Sequence, residues 1–169
     1  MSISADLHKF GYCPKPASTI YFRDAALQEF HYVAVQDPFL GQYKLAGFSG
    51  SRSAGPIFAA WSVFNYLGVD GYLRLTRRLL ELKQRLAEGV SAIEGLKVWE
   101  VDVMPMHFHS ERAPTSAVYQ GLFEKGWLML GLVQPEAITI CVDPALTDEA
   151  VALFLKDLRA TQPDKPFFL

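Results

Sequence analysis

The sequence lacks several features that mark particular protein classes. Its 169 residues include two cysteines, Cys13 and Cys141, which are too far apart for a CxxC redox or zinc motif. The 16 basic and 18 acidic residues give a net charge of -2. The chain therefore has neither an excess of positive charge nor a basic run that would bind nucleic acid. No apolar run approaches the roughly 20 residues that span a bilayer, and residues 1–6 do not form a secretory signal. We therefore expect a cytoplasmic protein with reduced, buried thiols, no membrane span and no nucleic-acid partner.

What is present indicates a globular α/β chain. Hydrophobic residues make up 50% of the sequence and charged residues 20%, enough for one domain with a filled core. Frequent glycine, serine and proline predict a long irregular segment over residues 36–55. Elsewhere, apolar spacings predict strands at 2–6, 18–22, 96–103, 104–109 and 137–142, and helices at 56–68, 72–88, 116–125 and 147–159, the last capped by Thr147.

The pair His8-Lys9 lies at the exit of the first predicted strand, where a rigid element would position both side chains. A free lysine, with a pKa of about 10.4, is protonated and not nucleophilic at pH 7. Chemistry therefore requires that Lys9 be desolvated or placed beside another cation. On its own, the pair also fits an ordinary exposed lysine at a strand end.

The surrounding residues resemble a known family. Residues 4–12, S-A-D-L-H-K-F-G-Y, followed by Cys13-Pro14-Lys15, are similar to the cofactor-lysine segment of pyridoxal-phosphate-dependent group II decarboxylases and lyases, particularly the sphingosine phosphate lyase branch. Further similar pieces follow in the family's order over essentially the whole chain: Gly50-Ser51-Arg52, Tyr66-Leu67-Gly68, Gly71-Tyr72, Lys125-Gly126-Trp127, Gln134-Pro135 and 138–142. The resemblance implies a homodimeric carbon–carbon lyase that uses pyridoxal 5′-phosphate and acts on an amine or amino acid.

The resemblance assigns roles to the residues of the cofactor site. Lys9 matches the lysine that holds the cofactor aldehyde as an imine, and His8 matches the neighbour that contacts the cofactor phosphate. Ser51 matches a position that reaches across a dimer interface to the partner's cofactor phosphate. A helix-start cap is the alternative role for Ser51.

Two cations are the candidate substrate-binding residues. Lys15 matches a second lysine of the lyase branch, where a phosphorylated substrate needs a positive charge. Arg52 would assist as a phosphate or interface group, with a surface ion pair as the alternative. Pro16 stands where the lyases usually have glycine, which sets this loop apart from theirs. The sequence does not distinguish decarboxylation from retro-aldol cleavage.

Because Lys9 is almost the first residue, the resemblance covers only the C-terminal part of a fold type I enzyme. It implies that residues 1–55 are the end of the large cofactor-binding domain, 56–95 the crossing helices, and 96–169 the small C-terminal α/β domain. The aspartate that pairs with the pyridine nitrogen and the main phosphate loop belong to the family's upstream part, so we expect an incomplete chain with weak activity alone. The alternative is a non-catalytic fragment or interaction module that keeps the family's dimerisation surface.

Four other polar residues invite a site but favour ordinary roles. His107 and His109 alternate on a predicted strand and therefore share one face. Two ligands do not make a metal site, so we expect no metal. Asp143 and Asp148 lie near a predicted helix start, where capping and the helix dipole explain them.

Overall fold

The computed structural model describes residues 1–39, 41–46, 50–100, 102 and 104–161. These residues form two compact units, Met1–Gly71 and Tyr72–Leu169. The sequence-based division at 55/56 and 95/96 stays a prediction. The elements in chain order are β1 Ser2–Ala5, β2 Thr19–Phe22, α1 Ala25–Glu29, β3 Tyr32–Asp37, β4 Gly41–Ala46, α2 Gly55–Ser91, β5 Leu96–Val98, β6 Met106–Ser110, α3 Thr115–Glu124, β7 Leu130–Val133, β8 Glu136–Ile140 and α4 Asp148–Ala160.

The first unit contains two antiparallel strand pairs. Strands β1 and β2 pair with Ala5 opposite Thr19, and they confirm the two strands predicted near the start of the chain. The small core of this unit contains the buried residues Cys13, Ala17 and Ala60. Between β1 and β2 lie residues 6–18, which we call the lysine loop.

The prediction of a long irregular segment over residues 36–55 is wrong in large part, because two strands occupy much of it. Strands β3 and β4 form a hairpin in which Asp37 faces Gly41. The Asp37 carboxylate accepts the N–H of Phe39 at 2.8 Å, and Gly41 has a φ of 81° that favours glycine at the end of the turn. Residues 50–54 have no regular structure, whereas 40 and 47–49 lie outside the described residues.

Helix α2 has a break at Gly68, as the sequence predicts. Gly68 has φ 58° and ψ -176°, which is not helical, and glycine accepts this conformation without a Cβ clash. The second helical segment resumes before Gly71 rather than after it, and it continues to Ser91.

The second unit is a four-stranded antiparallel sheet with helices on one face. The strand order is β5-β6-β8-β7. Inward residues of β6 and β8 alternate with outward ones, and Met106, Phe108 and Ile138 are fully buried. They pack with apolar side chains of three helices: Leu82, Leu86, Val90, Val118, Leu122, Phe154 and Leu158.

The closing helix begins as the sequence predicts. The Thr147 hydroxyl accepts the N–H of Ala150 at 3.2 Å and caps α4. Strand β7 was not predicted, because Leu130–Val133 shows no alternation of apolar and polar residues. In the structure all four of its residues are exposed.

Candidate active site

The lysine loop is held by backbone hydrogen bonds across its base. The N–H of His8 donates to the carbonyl of Ala17 at 3.1 Å, and the N–H of Cys13 donates to the carbonyl of Leu7 at 3.0 Å. The chain therefore folds back on itself just beyond β1, and the His8-Lys9 pair lies on this folded segment.

The tightest point of the lysine loop requires glycine at position 11. A Cβ on Gly11 would lie 2.5 Å from the carbonyl oxygen of Leu7, far inside van der Waals contact. Tyr12 follows with a φ of 55°, in the left-handed region, and its N–H donates to the carbonyl of Lys9 at 3.0 Å. These two residues close the turn that presents Lys9.

Lys9 is paired with a carboxylate. Its Nζ lies 2.8 Å from Oδ2 of Asp6, with the lysine side chain 65% exposed. The hydrogen bond and the charge of Asp6 raise the pKa of Lys9 above its ordinary value. Neither activating condition named for Lys9 is met in this structure, since it is neither desolvated nor beside another cation. At neutral pH it is an ammonium ion.

Asp6 carries a second hydrogen bond on its other oxygen. The hydroxyl of Ser18 donates to Oδ1 of Asp6. The hydrogen bonds from Lys9 and Ser18 lower the pKa of Asp6 to about 2. Asp6 is therefore a permanent anion at any physiological pH.

His8 has a fixed ring orientation. Its Nδ1 lies 2.8 Å from the carbonyl oxygen of Ala17, and a carbonyl oxygen can only accept, so Nδ1 carries the hydrogen. The other ring nitrogen, Nε2, is then the atom that can meet a second partner. As an imidazolium, His8 can donate through Nε2 to an anion such as a phosphate.

Of the remaining predicted site residues, Ser51 and Arg52 lie on another segment and Lys15 lies farther along the lysine loop. Ser51 is exposed, and the cap at the start of α2 comes from Ser53, whose Oγ accepts the N–H of Gly55 at 3.2 Å. Arg52 donates from Nη2 to the carbonyl of Ala46 at 3.4 Å, a weak contact to backbone. Lys15 is exposed on the lysine loop.

A cavity of about 730 Å³ lies in the first unit. Arg52 lines this cavity together with Leu7 and Ser18 of the lysine loop. The other predicted site residues do not line it: His8, Lys9, Lys15 and Ser51. Its opposite side is formed by apolar side chains of α2 that are strongly exposed: Ile57 70%, Trp61 65% and Phe64 40%.

Asp6 and Ser18 are the residues that sequence reasoning missed. Both were present in predicted strands, and Asp6 stands three residues before Lys9, a spacing that brings side chains together in a helical turn. That spacing was the available signal. The contact with Ser18 depends instead on the pairing of β1 with β2.

The histidines of β6 have partners within the chain. The indole of Trp99 donates to Nδ1 of His109 at 2.9 Å, and Nδ1 of His107 lies 2.8 Å from the hydroxyl of Thr139. Over the described ranges, no three His, Cys, Asp or Glu side chains are grouped so as to hold a metal ion.

The two cysteines differ in exposure. Both are free thiols, and Cys13 is buried as expected. The expectation of a buried thiol is wrong for Cys141, which lies just beyond the end of β8 and is exposed. Within the described part of the chain, every helix is too short or too polar to span a bilayer.

Comparisons with known proteins agree with the resemblance found in the sequence. No family model matches the chain. The chain is 34% identical to sphingosine-1-phosphate lyase of Arabidopsis thaliana, over 94% of this chain and 29% of that protein. It is 27% identical to a probable L-tyrosine/L-aspartate decarboxylase of Methanothermobacter thermautotrophicus, over 93% of this chain and 43% of that protein. The chain thus spans less than half the length of these relatives.

Solved structures give the same result for the fold. The sphingosine-1-phosphate lyase of Burkholderia pseudomallei matches with a TM-score of 0.87 and 34% identity, over 95% of this chain and 37% of that chain. Glutamate decarboxylase of Lactobacillus brevis matches with a TM-score of 0.75 at 18% identity, which shows the fold alone. The predicted fold class, an α/β part of a fold type I enzyme, is confirmed. The homologues of this chain are sphingosine-1-phosphate lyases and group II decarboxylases, which it matches over part of their length.

Proposed function

We propose that this chain supplies the cofactor-lysine part of a carbon–carbon lyase that uses pyridoxal 5′-phosphate, the cofactor of sphingosine-1-phosphate lyases and group II decarboxylases. The reaction is of the amino-acid decarboxylase or the phosphorylated amino-alcohol lyase type. The observation that carries the proposal is the His8-Lys9 turn, fixed beyond β1 in a chain with these homologues.

The residues of the lysine loop fit a phosphorylated aldehyde. Lys9 offers a primary amine on a side chain that is 65% exposed, and a free amine of this kind can form an imine with an aldehyde. His8, held through Nδ1 on the Ala17 carbonyl, offers an Nε2–H donor to a phosphate oxygen when its ring is an imidazolium. When bound, the cofactor withdraws electrons from the bond to be broken, and the protein contributes the attachment and orientation.

We further propose that Arg52, Lys15 and Ser51 serve anionic groups of the substrate or of a partner's cofactor. Arg52 is the charged side chain of the cavity beside the lysine loop, and Lys15 lies on that loop. A guanidinium in a largely apolar cavity suits a phosphate or carboxylate. Replacement of Arg52 should weaken substrate binding, seen as a higher KM, more than it changes cofactor attachment.

The exposed apolar side chains of α2 support a proposed homodimer. Ile57, Trp61 and Phe64 lie beside a cavity of about 730 Å³, and monomeric proteins rarely expose a contiguous patch of this kind. In a twofold dimer, residues 50–55 would lie at the interface, where Ser51 can reach the partner's cofactor phosphate. The sequence predicts an interface segment over residues 47–55, and its residues 47–49 lie outside the described residues.

The proposal is tested by titrating the purified chain with excess pyridoxal 5′-phosphate and following visible absorbance. The wild-type chain should develop the band of a lysine imine. Lys9→Arg, which keeps the charge but cannot form an imine, should lose most of it, while Lys15→Arg should keep it. A band of equal size in Lys9→Arg would refute the proposal.

The cytoplasmic location expected from the sequence stays a prediction. Fractionation of cells that express the chain would test it.

A further inference from the structure

Asp6 and Ser18 face each other because of the strand register. Strands β1 and β2 pair with Ala5 opposite Thr19, and the next residues outward are Asp6 and Ser18. Ser18 occupies Oδ1 of Asp6, which leaves Oδ2 for Lys9 Nζ at 2.8 Å. Each carboxylate oxygen therefore has its own donor.

The contact with Lys9 is reinforced by the backbone. The N–H of Lys9 donates to the carbonyl of Asp6 at 3.1 Å, so the two residues are joined by a turn as well as by their charges. Besides Lys9, the charged or titratable group that acts on Asp6 is His8. Exposed pairs between long, freely rotating side chains usually contribute little, but here the carboxylate has one orientation fixed by Ser18.

We propose that Asp6 is a positioning residue that holds the Lys9 amine as an ammonium in one place until the cofactor binds, and that Ser18 orients Asp6 for this task. The inference rests on the proposed function of Lys9. Imine formation joins Lys9 Nζ to the aldehyde carbon and expels the aldehyde oxygen as water. The ammonium must first leave Asp6 and lose its proton to solvent, because Asp6 is too weak a base to take it.

The proposal predicts that Asp6 lowers the nucleophilicity of Lys9. The test is competitive acetylation of the full chain by acetic anhydride between pH 7 and 11, with Lys9 and Lys15 quantified by mass spectrometry. At pH 7–8, Asp6→Asn should raise the Lys9:Lys15 labelling ratio about two- to fivefold, the range of an exposed ion pair. Ser18→Ala should raise it by less, and Asp6→Glu should stay close to wild type.

The pH dependence separates an electrostatic role from a merely structural one. The difference between Asp6→Asn and wild type should shrink as the pH rises towards 11, because a growing share of Lys9 is an amine in both proteins. A loop that simply opened would raise the ratio by the same factor at every pH. Asp24→Asn, which removes an acidic residue that caps α1, is the matched control and should leave the ratio unchanged.

The outcomes for Asp6 and for the proposed function are distinguishable. An unchanged or lower ratio in Asp6→Asn, or a rise of the same size at every pH, overturns the positioning role even if Lys9 binds the cofactor. A raised ratio that shrinks towards pH 11 supports it. If that occurs while pyridoxal 5′-phosphate forms no imine on Lys9, the proposed function fails and the pairing stands.

Discussion

Trp99 donates its indole N–H to Nδ1 of His109 at 2.9 Å, on the face of the sheet opposite to the helices of the second unit. An acceptor Nδ1 fixes the neutral His109 tautomer that carries hydrogen on Nε2. We predict that ¹⁵N NMR at neutral pH finds this tautomer, and that Trp99→Phe lowers the free energy of unfolding by about 0.5–1.5 kcal/mol, the usual contribution of one hydrogen bond. A protonated Nδ1 in the neutral ring would contradict the assignment.

A single carboxylate oxygen joins α4 to two arginines of α2. Oδ1 of Asp148 lies 2.9 Å from Arg78 Nη2 and 2.6 Å from Arg85 Nη1. The hydrogen bonds from Arg78 and then Arg85 hold the pKa of Asp148 below its ordinary value. Its contribution to stability is therefore present above the unfolded-state pKa near 3.8 and is lost as the pH falls through the lower folded-state pKa.

We predict that Asp148→Asn lowers the urea midpoint at pH 7 and that the difference from wild type disappears at strongly acidic pH. The effect should be small and weakened by salt, because the side chain is 56% exposed. Glu149→Gln, in the same first turn of α4, is the control and should show a smaller change. A difference that persists unchanged into acid would show that the arginine contacts do not carry it.

The turn that presents Lys9 depends on Gly11. A Cβ there would lie 2.5 Å from the backbone oxygen of Leu7, which cannot move without breaking its hydrogen bond from Cys13. Gly11→Ala should cost about 1–3 kcal/mol through overpacking and should reduce cofactor attachment to Lys9. Gly131→Ala, in β7 of the second unit, where the added Cβ would meet only ring atoms of Tyr119 at 3.9 Å, should do neither. Equal attachment in both variants would sink the role of this turn.

The apolar side of α2 is expected to mediate self-association. Trp61→Ser should shift the chain towards monomer in sedimentation velocity across a concentration series, because it removes a large side chain from the proposed interface. Tyr66→Ser, on the same helix but away from the cavity lining and 89% exposed, is the matched control. A wild-type chain that is monomeric at every concentration would rule out the interface.

Local patterns predicted the elements whose ends carry strong signals. Gly68 broke α2 where expected, and Thr147 capped α4, because positive φ and side-chain capping are decided by single residues. The β3–β4 hairpin was missed, although Asp37 and Gly41 are ordinary turn residues, because the glycines and serines that follow dominated the composition. The composition of the 20 residues from 36 to 55 therefore concealed the turn signal of Asp37 and Gly41.

The candidate site shows the same limit. The resemblance singled out His8 and Lys9, and local geometry places both on one turn. The contact of Asp6 with Ser18 was not predictable, because Ser18 meets Asp6 only through the register of β1 with β2. Side chains brought together by strand pairing leave no spacing signal in the sequence.

The most direct test of the account is to identify the lysine that captures pyridoxal 5′-phosphate. The full chain is incubated with the cofactor, reduced with borohydride and mapped by peptide mass spectrometry. Lys9 should carry most of the label, well above lysines of the second unit such as Lys83, Lys125 and Lys156. Label spread evenly over these lysines, or absent from Lys9, would contradict the central claim that the His8-Lys9 turn is the cofactor-binding part of the chain.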